Sequence, residues 1–151
     1  MDMKEYVGFD VSKSAKQSAE FALSPEYKKI MQKYLSDLSP QKRNQLIALL
    51  KNAMKSGETI KSLSKKINNI IDDPIRSEMI ARTESVRLAN EGKILMAEER
   101  GISKMEFISA PEDGRLCEEC KKHDGKIYSL SQAKGMIPIH PHCRCTLNEV
   151  D

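Results

Sequence analysis

The sequence predicts an α+β protein in which a bundle of about four helices, over residues 1–100, is followed by a small β-rich unit over residues 101–151. Helix-start signals and apolar residues at helical spacing recur up to Gly101, whereas turn-like and strand-like segments follow it. All four cysteines lie within residues 117–145. The sequence therefore indicates two parts that are stabilised in different ways.

The helical part is predicted from the residues that begin and end helices. A capping side chain stands before a proline at Ser24-Pro25, Ser39-Pro40 and Asp73-Pro74, which is typical of a helix start. The predicted helices run from about Pro25 to Leu38, from Pro40 to a left-handed cap at Gly57, from after Gly57 to about Ile71, and from about Pro74 to Arg100. Residues 11–23 also have helical character, and residues 6–9 are interpreted as an extended arm.

The segment after Gly101 has the pattern of short strands joined by turns. Strands are predicted over residues 105–109, 126–129 and 144–150, with a tight turn at Asp124-Gly125. Few large apolar side chains occur here, and a unit of about fifty residues buries too little surface to fold by itself. An additional source of folding free energy is therefore expected in this unit.

Composition excludes several classes of protein. Charged residues make up 31% of the chain and mean hydropathy is −0.54, while the net charge is only +3. No stretch approaches the roughly 18 apolar residues of a membrane helix, so no membrane partner is expected. The N-terminus leads into no apolar signal core, which disfavours secretion. In an intracellular chain, clustered cysteines favour metal ligation over disulfides.

The cysteine spacing predicts a structural zinc site. Cys117 and Cys120 form a C-x2-C pair, whose two thiolates can share one tetrahedral ion. After 19 intervening residues, His140 and Cys143 repeat that spacing. The preferred ligands are therefore Cys117, Cys120, His140 and Cys143, and the predicted cofactor is Zn²⁺ in a zinc-knuckle module. Cys145 is the alternate ligand, in place of His140 or Cys143, with His123 and His142 as further candidates.

The C-terminal half resembles the phage Mu F-like minor head protein family. The resemblance covers about residues 76–149; residues 1–70 share only their helical character. Four elements carry it in order: residues 80–84 with 89–92, the Cys117 and Cys120 pair, residues 124–128, and residues 138–145. Ile139 stands where the family usually has a second proline, and Phe107 stands where Trp is common.

The resemblance implies a structural role in a virion and no enzymatic activity. It implies portal and other capsid proteins as partners, packaged phage DNA as a further partner, and no small-molecule substrate. It places the protein in the phage head, and in the host cytoplasm during assembly. Within the long helix, Arg82, Glu84 and Asn90 are interpreted as structural residues, with Arg82 reaching across to the zinc module.

Two alternative functions remain open on the sequence. A metal-dependent nuclease or hydrolase would use a metal and a histidine base, for which His123, His140 and His142, together with Asp124, are candidates. A DNA-binding virion module would use the ten lysines and arginines within residues 28–66, where acidic residues are few. The alternative interpretation is that these basic residues bind no DNA and form a solvated helical face.

Overall fold

The computed structural model describes residues 12–109, 118–141 and 143–150. A single 3₁₀ turn, Ser12–Ser14, precedes the first helix. The helices are α1 (Ala15–Ala22), α2 (Pro25–Tyr34), α3 (Pro40–Ser56), α4 (Ile60–Ile71), α5 (Pro74–Glu99), α6 (Glu118–His123) and α7 (Leu130–Ala133). The strands are β1 (Lys104–Ile108), β2 (Ile127–Ser129) and β3 (Thr146–Val150). The α+β class predicted from the sequence is confirmed.

The predicted helix starts are confirmed at the level of individual hydrogen bonds. The side chains of Ser24, Ser39 and Asp73 each accept a hydrogen bond from the backbone N–H three residues ahead. Gly57 ends α3 in the left-handed conformation, with φ of +69°. The end of α2 was predicted too late, since the helix stops at Tyr34 rather than Leu38. The predicted arm at residues 6–9 lies outside the described residues.

The helical core is built around α1, which packs against both α3 and α5. Small residues make this close approach possible. A Cβ atom added to Gly92 on α5 would lie 2.0 Å from Oγ of Ser18 on α1. Glycine at position 92 therefore permits the close packing of α5 against α1. Leu50 and Leu63 are fully buried in the same core.

The three strands form one antiparallel sheet in the order β2-β1-β3. Phe107 of β1 faces Leu147 of β3, and both side chains are fully buried. The turn predicted before β2 is present, with Gly125 at a φ of +79°. The short helices α6 and α7 were not predicted. They add helical segments to a unit that the sequence indicates as β-rich.

Residues 12–109, 118–141 and 143–150 contain no helix that is both long enough and apolar enough to span a membrane.

Candidate metal centre

Three side chains with metal-binding atoms converge beside the sheet. The ligand atoms of Cys120, His140 and Cys143 all lie within 4.8 Å of one another. The distance between Sγ of Cys120 and Nε2 of His140 is 3.2 Å. Both cysteines are buried and His140 is half-buried, so the cluster lies just below the surface. Cys120 and His140 lie 20 positions apart in the sequence, and the fold brings them together.

Local structure positions each of these side chains. Cys120 lies in α6, whereas the sequence favoured a turn-like knuckle around the first cysteine pair. His140 and Cys143 lie in the connection between α7 and β3. There the N–H of Cys143 donates to the carbonyl oxygen of His140 at 3.1 Å, which closes a tight turn. Cys117 and His142 lie outside the described residues.

The imidazole of His140 is oriented by the backbone of the next residue. Its Nδ1 atom lies 2.7 Å from the carbonyl oxygen of Pro141. A carbonyl oxygen only accepts hydrogen bonds, so Nδ1 carries a proton. In the neutral ring, Nε2 then presents its lone pair toward Cys120. Fixing one ring nitrogen so that the other can bind a metal is the usual arrangement around histidine ligands.

Cys143 is held in the form that binds metals. The hydrogen bond from the Cys145 side chain, supported by backbone N–H groups, lowers the pKa of Cys143 to about 5, although burial opposes this shift. Thiolate rather than thiol is the metal-binding species. Within the described parts of the chain, Cys145 is outside the group of mutually close ligand atoms and acts on Cys143 as a neighbour.

The donor set matches the chemistry of zinc. Two thiolates and an imidazole are preferred Zn²⁺ ligands, and Zn–S and Zn–N bonds of about 2.3 and 2.0 Å give tetrahedral ligand separations of about 3.5–3.8 Å. The atoms of Cys120, His140 and Cys143 are spaced in this range or within about 1 Å of it. Three described residues therefore fit a zinc ion, and a fourth position is left for another ligand.

His123, a further candidate from the sequence, has a different environment. Its Nδ1 lies 2.6 Å from the hydroxyl of Tyr128, and its ring centre lies 5.3 Å from that of Phe107. These contacts attach α6 to the sheet. Asp124, next in the chain, accepts a hydrogen bond from the N–H of Ser109 at 2.9 Å. Both side chains support the turn that positions Cys120.

Comparison with known protein families adds an independent observation. The family described as Phage Mu protein F like protein matches residues 44–148. The chain belongs to this family. The match begins in α3, so the predicted extent of the resemblance, about residues 76–149, was too short at its N-terminal end. Membership points to a phage head or morphogenesis protein. Neither a curated protein nor a solved structure matches the chain.

Within the family match, Asn90 connects the long helix to the metal-centre segment. Its Nδ2 donates to the carbonyl oxygens of Val86 at 2.9 Å and Cys145 at 3.3 Å. Its Oδ1 accepts from the N–H of Leu147 at 3.0 Å and the hydroxyl of Thr146 at 3.3 Å. Because β3 is an edge strand, its outer backbone groups need partners. The side-chain amide of Asn90 provides these partners, as a neighbouring strand would.

Glu84 belongs to a buried polar network on the same helix. It accepts hydrogen bonds from the hydroxyl of Tyr27 at 2.8 Å and from Nε of Arg87 at 2.9 Å. Burial and the neighbouring Glu84 carboxylate raise the pKa of Tyr27 well above its ordinary value. Tyr27 therefore stays protonated and donates to Glu84. This network attaches α2 to α5.

Arg82 lies on another face of α5. Its Nε atom pairs with Glu78 at 3.0 Å, one turn earlier on the helix. The predicted bond from Arg82 to the zinc module stays a prediction.

Sequence reasoning overlooked Glu91, a buried acid that accepts a hydrogen bond at 2.7 Å from the N–H of Gly135. The sequence signal that could have identified Glu91 is its position directly after Asn90, within the segment that the family matches.

Proposed function

We propose that the chain is a structural minor head protein of a tailed phage or prophage that takes part in capsid and portal assembly. A structural zinc ion, bound by Cys117, Cys120, His140 and Cys143, holds its C-terminal unit together. The protein resides in the phage head and in the host cytoplasm during assembly. The family match carries the head role, and the cluster of Cys120, His140 and Cys143 supports the zinc site.

Zinc would stabilise this unit, which has only a small hydrophobic core. The sheet buries few large side chains, chiefly Phe107, Met105 and Leu147. An ion shared by α6 and the connection before β3 would link segments about twenty residues apart. Structural zinc contributes its binding free energy directly to folding. The ion would therefore fix the connection whose backbone is bonded to Asn90, and so fix the whole unit against α5.

Metal analysis of purified variants tests the zinc site. We expect about one zinc per wild-type chain, and loss of zinc in Cys120→Ser, Cys143→Ser and Cys117→Ser. Cys145→Ser tests the alternate ligand, and it should retain zinc because the serine hydroxyl can still donate a hydrogen bond to the Cys143 thiolate. Retention of zinc in Cys117→Ser with loss in Cys145→Ser would replace the proposed ligand set. A wild-type protein without zinc would overturn the site altogether.

Co-assembly tests the head role. The chain is expressed with the portal and procapsid proteins encoded beside it, and assembled particles are separated on a density gradient. We expect the chain to sediment with particles that contain portal, and not with portal-free shells. A chain that stays at the top of the gradient under these conditions would remove the support for a head protein.

A catalytic alternative is tested in parallel with the same protein. The zinc-loaded chain is incubated with plasmid DNA and with RNA in the presence of Mg²⁺ or Mn²⁺. The structural function predicts no cleavage. Reproducible cleavage that is abolished by His142→Ala would favour the metal-dependent nuclease or hydrolase instead.

Contact with nucleic acid is a second candidate function, favoured by the separation of charge. Residues 28–66 contain ten basic and two acidic residues and therefore have a net charge of +8. Because the whole chain has a net charge of +3, the remaining residues together have a net charge of −5. Both acids are paired, Asp37 with Arg76 and Glu58 with Lys66. α3 contains no acid and carries exposed Lys42 and Lys55.

Salt dependence tests this second candidate. Phosphate contacts release counterions, so affinity for a DNA duplex should fall steeply between 50 and 200 mM salt. The double variant Lys42→Glu, Lys55→Glu is expected to weaken binding at low salt and to flatten the salt dependence. The matched control reverses two exposed lysines of the C-terminal unit, Lys122 and Lys126. Equal binding by both variants would exclude α3 as the DNA-binding surface.

A further inference from the structure

A cavity of about 200 Å³ lies between the end of α2, the middle of α5 and the connection that carries His140. Apolar side chains form most of its wall, among them Tyr34, Met79 and Ile139. Polar groups are few and include Glu84, Arg87 and His140. Tyr34 is 58% exposed, whereas Leu35 and Ile80 in the same wall are buried. We refer to this cavity as the α2–α5 groove.

The polar part of the groove is a buried ion pair. Glu84 is 6% exposed and Arg87 is 9% exposed, with Nε of Arg87 donating to Glu84 at 2.9 Å. The Arg87 guanidinium also lies 5.2 Å from the ring centre of Tyr34. A buried ion pair contributes little to stability by itself because both charges lose their hydration. Its position beside an open apolar cavity is typical of a recognition site.

We propose that the α2–α5 groove binds a segment of a virion partner in which an aromatic side chain stands next to a carboxylate. The inference rests on the function proposed above, which supplies portal and capsid proteins as partners. It identifies the surface of this chain that contacts them. The aromatic ring occupies the cavity against Tyr34 and Met79, and the carboxylate lies near Arg87.

The size of the groove fits an aromatic side chain. An apolar cavity of about 150 Å³ accepts benzene, so the α2–α5 groove has room for a phenyl or phenol ring. Its wall supplies the partners that such a ring prefers. Tyr34 offers an aromatic face, Met79 a thioether, and Arg87 a guanidinium plane. Aromatic residues are also the usual anchors at the centre of protein interfaces.

The charges around the groove favour an acidic neighbour for that ring. Two cations, Arg87 and Lys33, lie within 5.4 Å of the Tyr34 ring centre. Glu84 is the single carboxylate among the described residues that line the groove. Among the described residues, the hydrogen bonds of Arg87 run from Nε and Nη2 to Glu84, which leaves its Nη1 amine for a ligand. A carboxylate on the partner would complete the pairing of these charges.

The groove shares one wall with the candidate metal centre. Residues 138–141 line the groove, and His140 within them belongs to the cluster with Cys120 and Cys143. A metal ion that fixes His140 also fixes this wall. Partner binding by the groove should therefore depend on zinc, although the partner does not touch the ion.

Binding of the purified portal protein to the zinc-loaded full chain tests the inference. We expect Tyr34→Ala and Met79→Lys each to weaken binding at least tenfold. The matched controls are Leu23→Ala and Ile127→Ala, which truncate side chains that are 65% and 55% exposed outside the groove. They should bind within twofold of wild type. Circular dichroism and zinc content of every variant establish that it is folded.

A photo-crosslinking residue at position 79 gives evidence that does not depend on loss of binding. We expect a crosslink to a portal peptide that contains an aromatic residue beside Asp or Glu. A crosslink to another segment of this chain, to a second copy or to a peptide without that chemistry would overturn the inference.

The outcomes also separate the inference from the proposed function. If wild type binds portal and the groove variants bind equally well, the groove is wrong and the head role stands. If wild type does not bind portal at all, the proposed function fails and the groove inference fails with it. Removal of zinc by chelation should reduce portal binding as strongly as Tyr34→Ala does. Unchanged binding by the zinc-free chain would contradict the link to the metal centre.

Discussion

The helical region, residues 12–99, and the C-terminal unit, residues 104–150, are stabilised by different interactions. Of the eleven largest fully buried side chains among the described residues, ten lie in the helical region, and Phe107 lies in the C-terminal unit. The C-terminal unit has polar connections instead, namely the hydrogen bonds of Asn90 and the group of Cys120, His140 and Cys143, for which we propose a zinc ion. Loss of a metal ligand should therefore affect mainly the C-terminal unit, and loss of a buried apolar side chain mainly the helical region.

The largest expected effect is on the C-terminal unit when its metal ligands are removed. Cys143→Ser should abolish zinc binding and unfold residues 118–150, because structural zinc contributes on the order of 10 kcal/mol to folding small units. The helical region should stay folded. Hydrogen exchange followed by mass spectrometry measures both regions at once. Protection that is lost equally in α3 and in β3 would contradict the division of the molecule into two parts.

The second largest effect is expected in the helical region. Leu50 is fully buried, and Leu50→Ala should destabilise the protein by about 2–5 kcal/mol through lost burial and a residual cavity. Urea unfolding monitored by circular dichroism measures the loss. Leu23→Ala, at an exposed leucine, should change stability by less than about 0.5 kcal/mol. Zinc content should be unchanged in both variants, and a loss of zinc in Leu50→Ala would show that the two regions fold together.

An intermediate effect is expected at the connection between the two regions. Asn90→Ala removes the partners of two backbone groups, the N–H of Leu147 and the carbonyl oxygen of Cys145. Loss of such buried hydrogen bonds costs about 1–3 kcal/mol. Faster hydrogen exchange should appear first at the Leu147 amide. Asn69→Ala, at an exposed asparagine of α4, is the control and should leave that amide unchanged. Equal exchange in both variants would exclude Asn90 as the partner of the edge strand.

The helical region was the part of the fold that the sequence could predict. Local signals determine helix starts, and the capping hydrogen bonds of Ser24, Ser39 and Asp73 are present as predicted. The helices α6 and α7 were missed because helices of six and four residues are too short to show periodicity. The late end predicted for α2 has a similar cause, since apolar residues at helical spacing continue past Tyr34.

The sequence predicted which residue types form the candidate site, but it did not predict the long-range contacts around them. Metal-ligand spacing is a local property, so Cys120, His140 and Cys143 could be named from the sequence, and the fold brings these three together. The choice of the fourth ligand depends on three-dimensional placement that spacing does not encode. The partners of Asn90 and Glu91 are equally invisible in the sequence, because they lie about 44 to 57 residues away.

The smallest expected effect concerns the pH dependence of the connection between the two regions. Burial raises the pKa of Glu91 above the ordinary glutamate value, and the hydrogen bond from Gly135 offsets only part of this. At pH values between the ordinary glutamate pKa of about 4.3 and the raised pKa, Glu91 is more protonated in the folded protein than in the unfolded chain. This group therefore makes stability fall as pH rises through that window.

Glu91→Gln separates this contribution from those of other acids, because an amide oxygen still accepts the hydrogen bond from Gly135 but carries no charge. We expect the variant to become more stable relative to wild type as pH rises from about 4 to about 8, by less than the loss in Asn90→Ala. Urea unfolding at each pH gives the difference. Glu98→Gln, at an exposed acid of the same helix, is the control and should show no such trend. A constant difference between Glu91→Gln and wild type would mean that Glu91 is no more protonated in the folded protein than in the unfolded chain.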